Sequence, residues 1–144
     1  MGNQAPETLP AAISQFCATV LREYPIMKSG LQQIEEQRRD IAGSYPIASW
    51  GDGSKRTSAI NDRTASSAFL LLRLDTVWAK TRFYVGAVDD LLGYLRPDQV
   101  KLVEYHFFNQ FPGWRVLELL HVGKSAFYEQ RLVILNLLAN RLGL

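Results

Sequence analysis

The side chains best suited to binding chemistry lie close together near the carboxyl end of the chain. Lys124, Ser125, Glu129 and Arg131 fall within about two turns of one helical pattern. Lysine and arginine neutralise phosphates, and a glutamate in the major groove accepts a hydrogen bond from the amino group of cytosine. These residue types favour contact with a nucleic acid. A plainer interpretation stays open, since exposed helices commonly carry solvated charges and a serine near a helix start is often a cap.

Proline and glycine divide the last third of the chain, residues 95–144, into three helical patterns. Pro97 opens the first, because proline suits the first turn of a helix and breaks its interior. Pro112 and the glycine after it separate the first pattern from the second, which begins at Trp114. Gly123 then follows, and we expect this glycine to permit the sharp change of direction of a tight inter-helix turn.

The third pattern runs from Lys124 to Arg141, stops at Gly143 and changes character along its length. Its first turns hold most of its polar side chains, whereas the remainder is largely aliphatic. This division is typical of a helix-turn-helix, whose second helix enters a DNA groove with its amino-terminal residues and packs into the protein beyond them. The preceding helix lies over the DNA backbone, so Arg115 at its start is a candidate phosphate contact. We predict that Trp114 beside it packs internally.

Net charge supports DNA binding only weakly. Residues 95–144 carry six Lys or Arg and four Asp or Glu, whereas residues 1–94 carry ten of each, so the whole formal excess of +2 lies in the last third. A protein that depended on phosphate neutralisation alone would carry a larger basic cluster. We therefore expect modest DNA affinity per protomer, and cooperation with a second copy or another DNA-bound protein.

Composition indicates a small helical protein of the cytoplasm that is not an enzyme. The 144 residues are 47% hydrophobic and 21% charged, which suffices for one core or two small ones. No apolar run approaches the roughly 18 residues of a membrane span, and the first residues lack the features of a secretory signal. The lone Cys17 has apolar neighbours and predicts a packed thiol, while His106 and His121 form no close-set metal-ligand pattern. We therefore expect no catalytic group, metal or cofactor.

The amino-terminal two thirds predict two long helices in an antiparallel hairpin. Residues 1–10 are expected to be disordered, and 11–94 to form a helical oligomerisation region whose first helix is kinked or interrupted at Pro25. Asn61 or Asp62 can cap the second helix. At about 48 Å by the standard rise, that helix is too long for one short partner to cover. Its recurrent apolar positions are Phe69, Leu72, Val77, Tyr84, Val88, Leu91 and Leu92.

Between these helices, residues 43–60 lose periodicity and gather glycine and serine. This composition predicts a flexible loop. Lys55 and Arg56 within it are possible contacts to the DNA backbone, although a short charge cluster in such a loop is usually solvated.

The order of these signals resembles that of the RinA/ArpU type of phage transcriptional regulator. The resemblance covers roughly residues 18–143 and lies in the order and spacing of four segments. These are Leu-Arg-Glu-Tyr-Pro at 21–25, Ile-Asn-Asp-Arg-Thr-Ala at 60–65, Leu-Arg-Pro-Asp-Gln-Val-Lys-Leu-Val-Glu-Tyr at 95–105, and a final helix containing Ser125, Tyr128 and Arg131.

The resemblance implies a carboxyl-terminal domain similar to region 4 of bacterial sigma factors, in a protein that activates late or packaging genes with the host RNA polymerase. It also implies that Tyr128 faces DNA while its neighbour Phe127 lies in the core. The chain departs from the family at Gly123, where a capping serine is common, and at Glu129 and Gln130, where a basic residue and tryptophan are common.

Together these observations predict an all-α protein: two long amino-terminal helices form an oligomerising hairpin, and residues 95–144 form a helix-turn-helix domain. The expected partners are promoter DNA, RNA polymerase and another copy of the chain, with a dimer favoured. Two alternatives stay open: a small terminase-like packaging protein, and a module that docks on polymerase without touching DNA. The predicted DNA-binding residues are Arg115, Lys124, Ser125, Tyr128, Glu129 and Arg131.

Overall fold

The computed structural model describes the backbone of residues 9–43 and 57–144, and the side chains of 9–43 and 65–144. All regular structure in this part of the chain is helical, which confirms the predicted all-α class. The helices are α1 (Ala11–Gly43), α2 (Thr57–Tyr94), α3 (Pro97–Leu102), α4 (Gly113–Leu120) and α5 (Lys124–Leu142), and a π-helical segment, Val103–Phe108, continues α3. Among the described residues, no helix is both long and apolar enough to cross a membrane.

Helix α1 passes through Pro25 without a break, so an interruption at this residue is wrong, and a kink there stays a prediction. A proline inside a helix removes one backbone hydrogen bond and crowds the preceding turn. Burial of apolar side chains on both sides offsets that cost, since Leu21 is inaccessible to solvent and Leu31 is 8% exposed.

Helix α2 starts earlier than predicted. Thr57 is already helical, so a helix start capped by Asn61 or Asp62 is wrong. The short polar side chains near this start favour caps and turns but do not exclude helix, and local propensity is a weak guide to the first turn. The predicted disorder of residues 1–10 lies outside the described residues except at positions 9 and 10. The predicted flexible loop at 43–60 is wrong at 43 and at 57–60, which are helical, and the rest of it, 44–56, lies outside the described residues.

Two compact units divide the chain. The first contains the described residues up to Met27 together with Phe83–Leu144, and the second contains the described part of Lys28–Arg82. In the second unit, Arg38 pairs with Asp75 at 3.4 Å and the ring of Trp78 lies against Gly30. Arg38 follows Gly30 in α1, whereas its partner Asp75 precedes Trp78 in α2. The two helices therefore run antiparallel in this unit.

The first unit holds an apolar core to which α1, α2 and the carboxyl-terminal helices all contribute. Residues 95–144 do not enclose their apolar side chains alone. The fully buried thiol of Cys17 belongs to this core, as the sequence predicted, and burial raises its pKa. The division into 11–94 and 95–144 stays a prediction. The largest fully buried side chains of the core are Leu21, Val88, Leu91, Val103, Phe107, Val116, Phe127, Ile134, Leu135 and Leu138.

The π-helical segment widens the helical turn that follows α3. Asn109 donates its backbone N–H to the carbonyl of Glu104 at 2.8 Å, which is a bond across five residues. The wider turn shifts the following side chains around the axis. Phe107 is consequently buried, and Phe108 stacks on Tyr24 of α1 with ring centroids 5.1 Å apart.

Candidate nucleic-acid interface

Helix α4 and helix α5 are joined by a short turn whose left-handed residue is His121. Its φ of 55° and ψ of 42° end α4, and the backbone N–H of Val122 then donates to the carbonyl of Leu117 at 3.3 Å. Gly123 has φ −76° and ψ 162°, an extended conformation that any residue adopts. The expectation that Gly123 provides the change of direction is therefore wrong: Gly123 is the N-cap of α5, and a histidine carries the left-handed conformation.

The first two turns of α5 present polar side chains to solvent. Lys124, Ser125 and Glu129 are exposed, and Tyr128 is 54% exposed. The N-cap of α5 is Gly123, and Ser125 is the second residue of the helix. The prediction that Ser125 caps the helix is therefore wrong. Four of the predicted contact residues therefore lie on one short stretch of accessible helix.

Adjacent aromatic residues divide this stretch into an inner and an outer side. Phe127 is only 2% exposed and its ring packs edge-on against that of His106, with centroids 5.1 Å apart. Tyr128, about 100° further around the helix, faces solvent. The prediction that Phe127 packs in the core and Tyr128 points outward is confirmed as a placement, and the DNA contact of Tyr128 stays a prediction.

The second half of α5 anchors the first. Leu135 and Leu138 are inaccessible to solvent and belong to the core. Gly143 ends the helix as predicted, with φ 77°, and the N–H of Leu144 returns to the carbonyl of Ala139 at 2.9 Å. This arrangement satisfies the last carbonyls of the helix. A rigidly held helix thus carries the exposed polar turns.

A pair of glutamines ties α5 to the start of α3. The side-chain amide of Gln99 donates to Oε1 of Gln130 at 2.9 Å, and Oε1 of Gln99 accepts the backbone N–H of Arg96 at 3.1 Å. One side chain therefore satisfies the first turn of α3 and also holds α5. The two glutamines lie 31 residues apart, and no sequence pattern links them.

Arg131, in contrast to the other predicted contacts, is half-buried and turned toward the π-helical segment. Its Nε donates to Nε2 of His106 at 3.3 Å, and its guanidinium lies 5.5 Å from the ring centroid of Phe107. Nδ1 of His106 lies 3.3 Å from the carbonyl of Phe111, which can only accept. The two bonds assign a neutral histidine that carries its proton on Nδ1.

Burial and neighbouring cations lower the pKa of both members of this pair. Burial is the main cause for His106, where the carbonyl of Phe111 opposes the shift while Arg131 and Arg22 add to it. Burial is also the main cause of the lowered pKa of Arg131. Arg22 lowers this pKa further, and Tyr128 opposes the shift. Arg22 of α1 is exposed, and its effect on both pKa values shows that a second positive charge lies near His106 and Arg131. No sequence pattern connects Arg22 with the first turns of α5, because α1 is far away along the chain.

The start of α4 is more accessible than the sequence suggested. Arg115 is exposed, as a phosphate contact requires, and its guanidinium lies over the ring of Phe111 at 4.1 Å from the centroid. Trp114 is 64% exposed, so the prediction that it packs internally is wrong. The smaller apolar residue Val116 fills the core position on this helix instead.

Two predicted contacts, Lys55 and Arg56, lie outside the described residues. Within the described part of the chain, no group of three or more His, Cys, Asp or Glu side chains is arranged to hold a metal ion. No family model, no curated protein and no solved structure matches the chain. The candidate interface therefore consists of the exposed first turns of α5, together with Arg115 and Arg22.

Proposed function

We propose that this protein is a sequence-specific DNA-binding regulator of transcription that inserts the first turns of α5 into the major groove. The observation that supports this proposal is the accessibility of Lys124, Ser125, Tyr128 and Glu129 on a helix whose second half is anchored in the core through Leu135 and Leu138. Bases in the major groove are recognised by side chains at the amino-terminal end of such a helix. Arg115 on α4 and Arg22 on α1 supply phosphate contacts.

The modest positive charge of the interface favours DNA binding through base contacts over binding through phosphate neutralisation. Since Arg131 is turned toward His106, few free cations lie on the helix itself. Affinity then depends on base contacts and on a second DNA-bound protein more than on counterion release. The resemblance to the RinA/ArpU type supports the more specific proposal that the regulator is encoded by a phage and activates late or packaging genes with the host RNA polymerase.

A second candidate function is docking on another protein, such as RNA polymerase, without reading DNA. It is favoured by the apolar residues exposed around α4, where Trp114 is 64%, Leu119 44% and Val122 38% accessible. Exposed aromatic and aliphatic side chains of this kind are typical of protein interfaces. This candidate places the functional surface on α4 and leaves the polar turns of α5 in solvent.

Selection of DNA fragments from a random pool at about 0.15 M salt distinguishes the two candidates, because this salt concentration suppresses purely ionic binding. The wild-type protein is compared with Lys124→Ala/Glu129→Ala. The control is Arg141→Ala, which removes a cation at the other end of the same helix, about 26 Å away by the helical rise. Within the described part of the chain, Arg141 donates to the carbonyl of Leu137 at 3.3 Å and its guanidinium lies 5.1 Å from the ring centroid of Tyr94.

For a DNA-reading protein, wild type and Arg141→Ala enrich the same motif, and the double variant loses it or changes the preferred base. Each good base contact contributes about 1–3 kcal/mol of discrimination, so the change is expected to be about fivefold or more. Enrichment of no motif by any of the three proteins would contradict the proposal and favour docking. Pull-down of purified polymerase, with Trp114→Ala as the weakened variant, then tests the second candidate.

A further inference from the structure

One side of α2 in the second unit carries exposed apolar side chains, and none of the described residues covers it. The side that faces α1 carries Trp78 and Asp75, which contact Gly30 and Arg38. On the other side, large apolar residues are exposed at positions where a surface helix ordinarily carries polar ones. These residues are Phe69, 64% exposed, Leu70, 46%, Leu72, 64%, and Val77, 61%.

Part of this exposed side has the spacing of a coiled-coil seam. The residues at intervals of four, three, four and three are Ala65, Phe69, Leu72, Thr76 and Ala79, and all five are exposed. A repeat of this kind keeps one stripe facing a second helix along its length. Such a stripe on a lone helix surface would place aromatic and aliphatic groups in water without a compensating contact.

We propose that this stripe, called the α2 seam, binds the α2 seam of a second copy of the chain in parallel orientation. The side chains that flank the seam determine the orientation. Arg73 and Lys80 lie along one edge, at the e positions of the heptad, and Asp75 lies along the other, at a g position. A parallel pair brings Asp75 of each copy beside Lys80 of the other.

An antiparallel pair of the same stretch instead brings Arg73 of each copy beside Lys80 of the other, and like charges at that distance repel.

Asp75 also pairs with Arg38 and with Arg82 in its own chain, at 3.4 Å and 3.0 Å. The carboxylate is held near the helix surface by these cations and retains accessible surface, since its side chain is 36% exposed. The interchain contact thus extends an existing network.

This inference does not depend on the DNA-binding function proposed above. Phe69 and Leu72 provide most of the apolar area of the seam, whereas Thr76 and Ala79 allow the helices to approach closely. Two such large residues per chain, with small ones between them, indicate a reversible dimer that forms at micromolar concentration.

The mass in solution tests the proposal. Light scattering of the full chain at about 50 µM is expected to give about 33 kDa, twice the chain's 16.3 kDa. Leu72→Glu lies in the seam and is expected to halve the mass. Val77→Glu is the matched control, since it has nearly the same exposure but lies about 100° further around the helix than the seam residue before it. A monomeric wild type, or equal dissociation by both variants, would overturn the proposal.

A second measurement keeps the test independent of how Leu72→Glu folds. Ala65→Cys and Ala79→Cys place thiols at two seam positions about 21 Å apart along the axis. In a parallel dimer each variant meets its own counterpart and forms a disulfide-linked dimer under mild oxidation, because both pairs lie within the reach of about 7 Å between Cα atoms. Wild type, whose Cys17 is fully buried, is the control and stays unlinked. Linkage of only one variant, or of neither, contradicts the parallel seam.

Discussion

Arg131 donates from Nε to Nε2 of His106 at 3.3 Å, so a cation on the candidate DNA-reading helix is held by the protein's own π-helical segment. The bond requires a neutral His106, because a protonated imidazole has no free lone pair on that nitrogen. The position of α5 is thus coupled to the protonation of a single histidine.

The free energy of unfolding is expected to decrease as the pH is lowered below about 6.5. The pKa of His106 is lower in the folded protein than in the unfolded chain, mainly through burial. As the pH falls through 6.5, the unfolded chain takes up a proton that the folded protein does not, so the unfolded state gains stability until the pH reaches the lower, folded pKa. The urea midpoint of wild type measured from pH 7.5 to 5 checks this.

His106→Gln is the matched variant, since glutamine keeps polar groups at this position but does not titrate. We expect it to cost about 1 kcal/mol at pH 7.5, where one side-chain bond is altered, and to flatten the decline of the midpoint toward pH 5. An unchanged slope in this variant would show that other groups cause the decline.

His121→Gly is expected to stabilise the protein. The left-handed conformation at φ 55° crowds the Cβ of histidine and costs about 1–2 kcal/mol, whereas glycine adopts it without strain. Part of the gain is offset because glycine loses more backbone entropy on folding, so we expect a net gain of about 0.5–1 kcal/mol. His121→Val is the control and is expected to lower Tm. Thermal unfolding measures the Tm of both variants. A lower Tm for the glycine variant would contradict the assigned turn.

Phe127→Ala and Tyr128→Ala are expected to separate stability from binding. Phe127 is 2% exposed, and its truncation leaves a cavity that costs about 3–5 kcal/mol. Tyr128 is 54% exposed, so its truncation changes the free energy of unfolding by about 0.5 kcal/mol or less. Chemical denaturation gives both values. Titration of Tyr128→Ala with the selected DNA then reports the binding contribution of an otherwise intact protein, and full affinity would remove Tyr128 from the interface.

Cys17 is expected to be unreactive in the native protein. The thiol is inaccessible to solvent and burial raises its pKa, so both the access and the thiolate that a disulfide reagent needs are lacking. Modification at pH 8 should be slow without denaturant and complete within minutes in guanidinium chloride. Rapid native modification would mean that the core around α1 opens readily.

Much of the helical framework was predictable from local patterns. Pro97 and Gly143 begin and end helices as their backbone preferences require, and the same preferences separate α3 from α4 at Pro112. The alternation of inner and outer residues around α5 follows from its period, which is why Phe127 and Tyr128 could be assigned opposite sides. Polar residues on the first turns of α5 were likewise visible in the sequence as candidate DNA contacts.

Other features depended on contacts between residues far apart in the chain. The inward turn of Arg131 requires His106, 25 residues earlier, and its altered pKa requires Arg22 on α1. No sequence pattern encodes these distances. The exposed Trp114 shows the same limit, because its neighbour Val116 occupies the core position that hydrophobicity alone would assign to the larger residue.

The sequence by itself determined where helices form and which residue types lie on them, because proline, glycine and apolar periodicity act within a few residues. Only the tertiary structure decided which residue carries the left-handed turn, His121 and not Gly123, and which cation faces solvent, Lys124 and not Arg131. The physical reason is that packing and burial select among side-chain and backbone conformations whose local free energies differ by only about 1–2 kcal/mol.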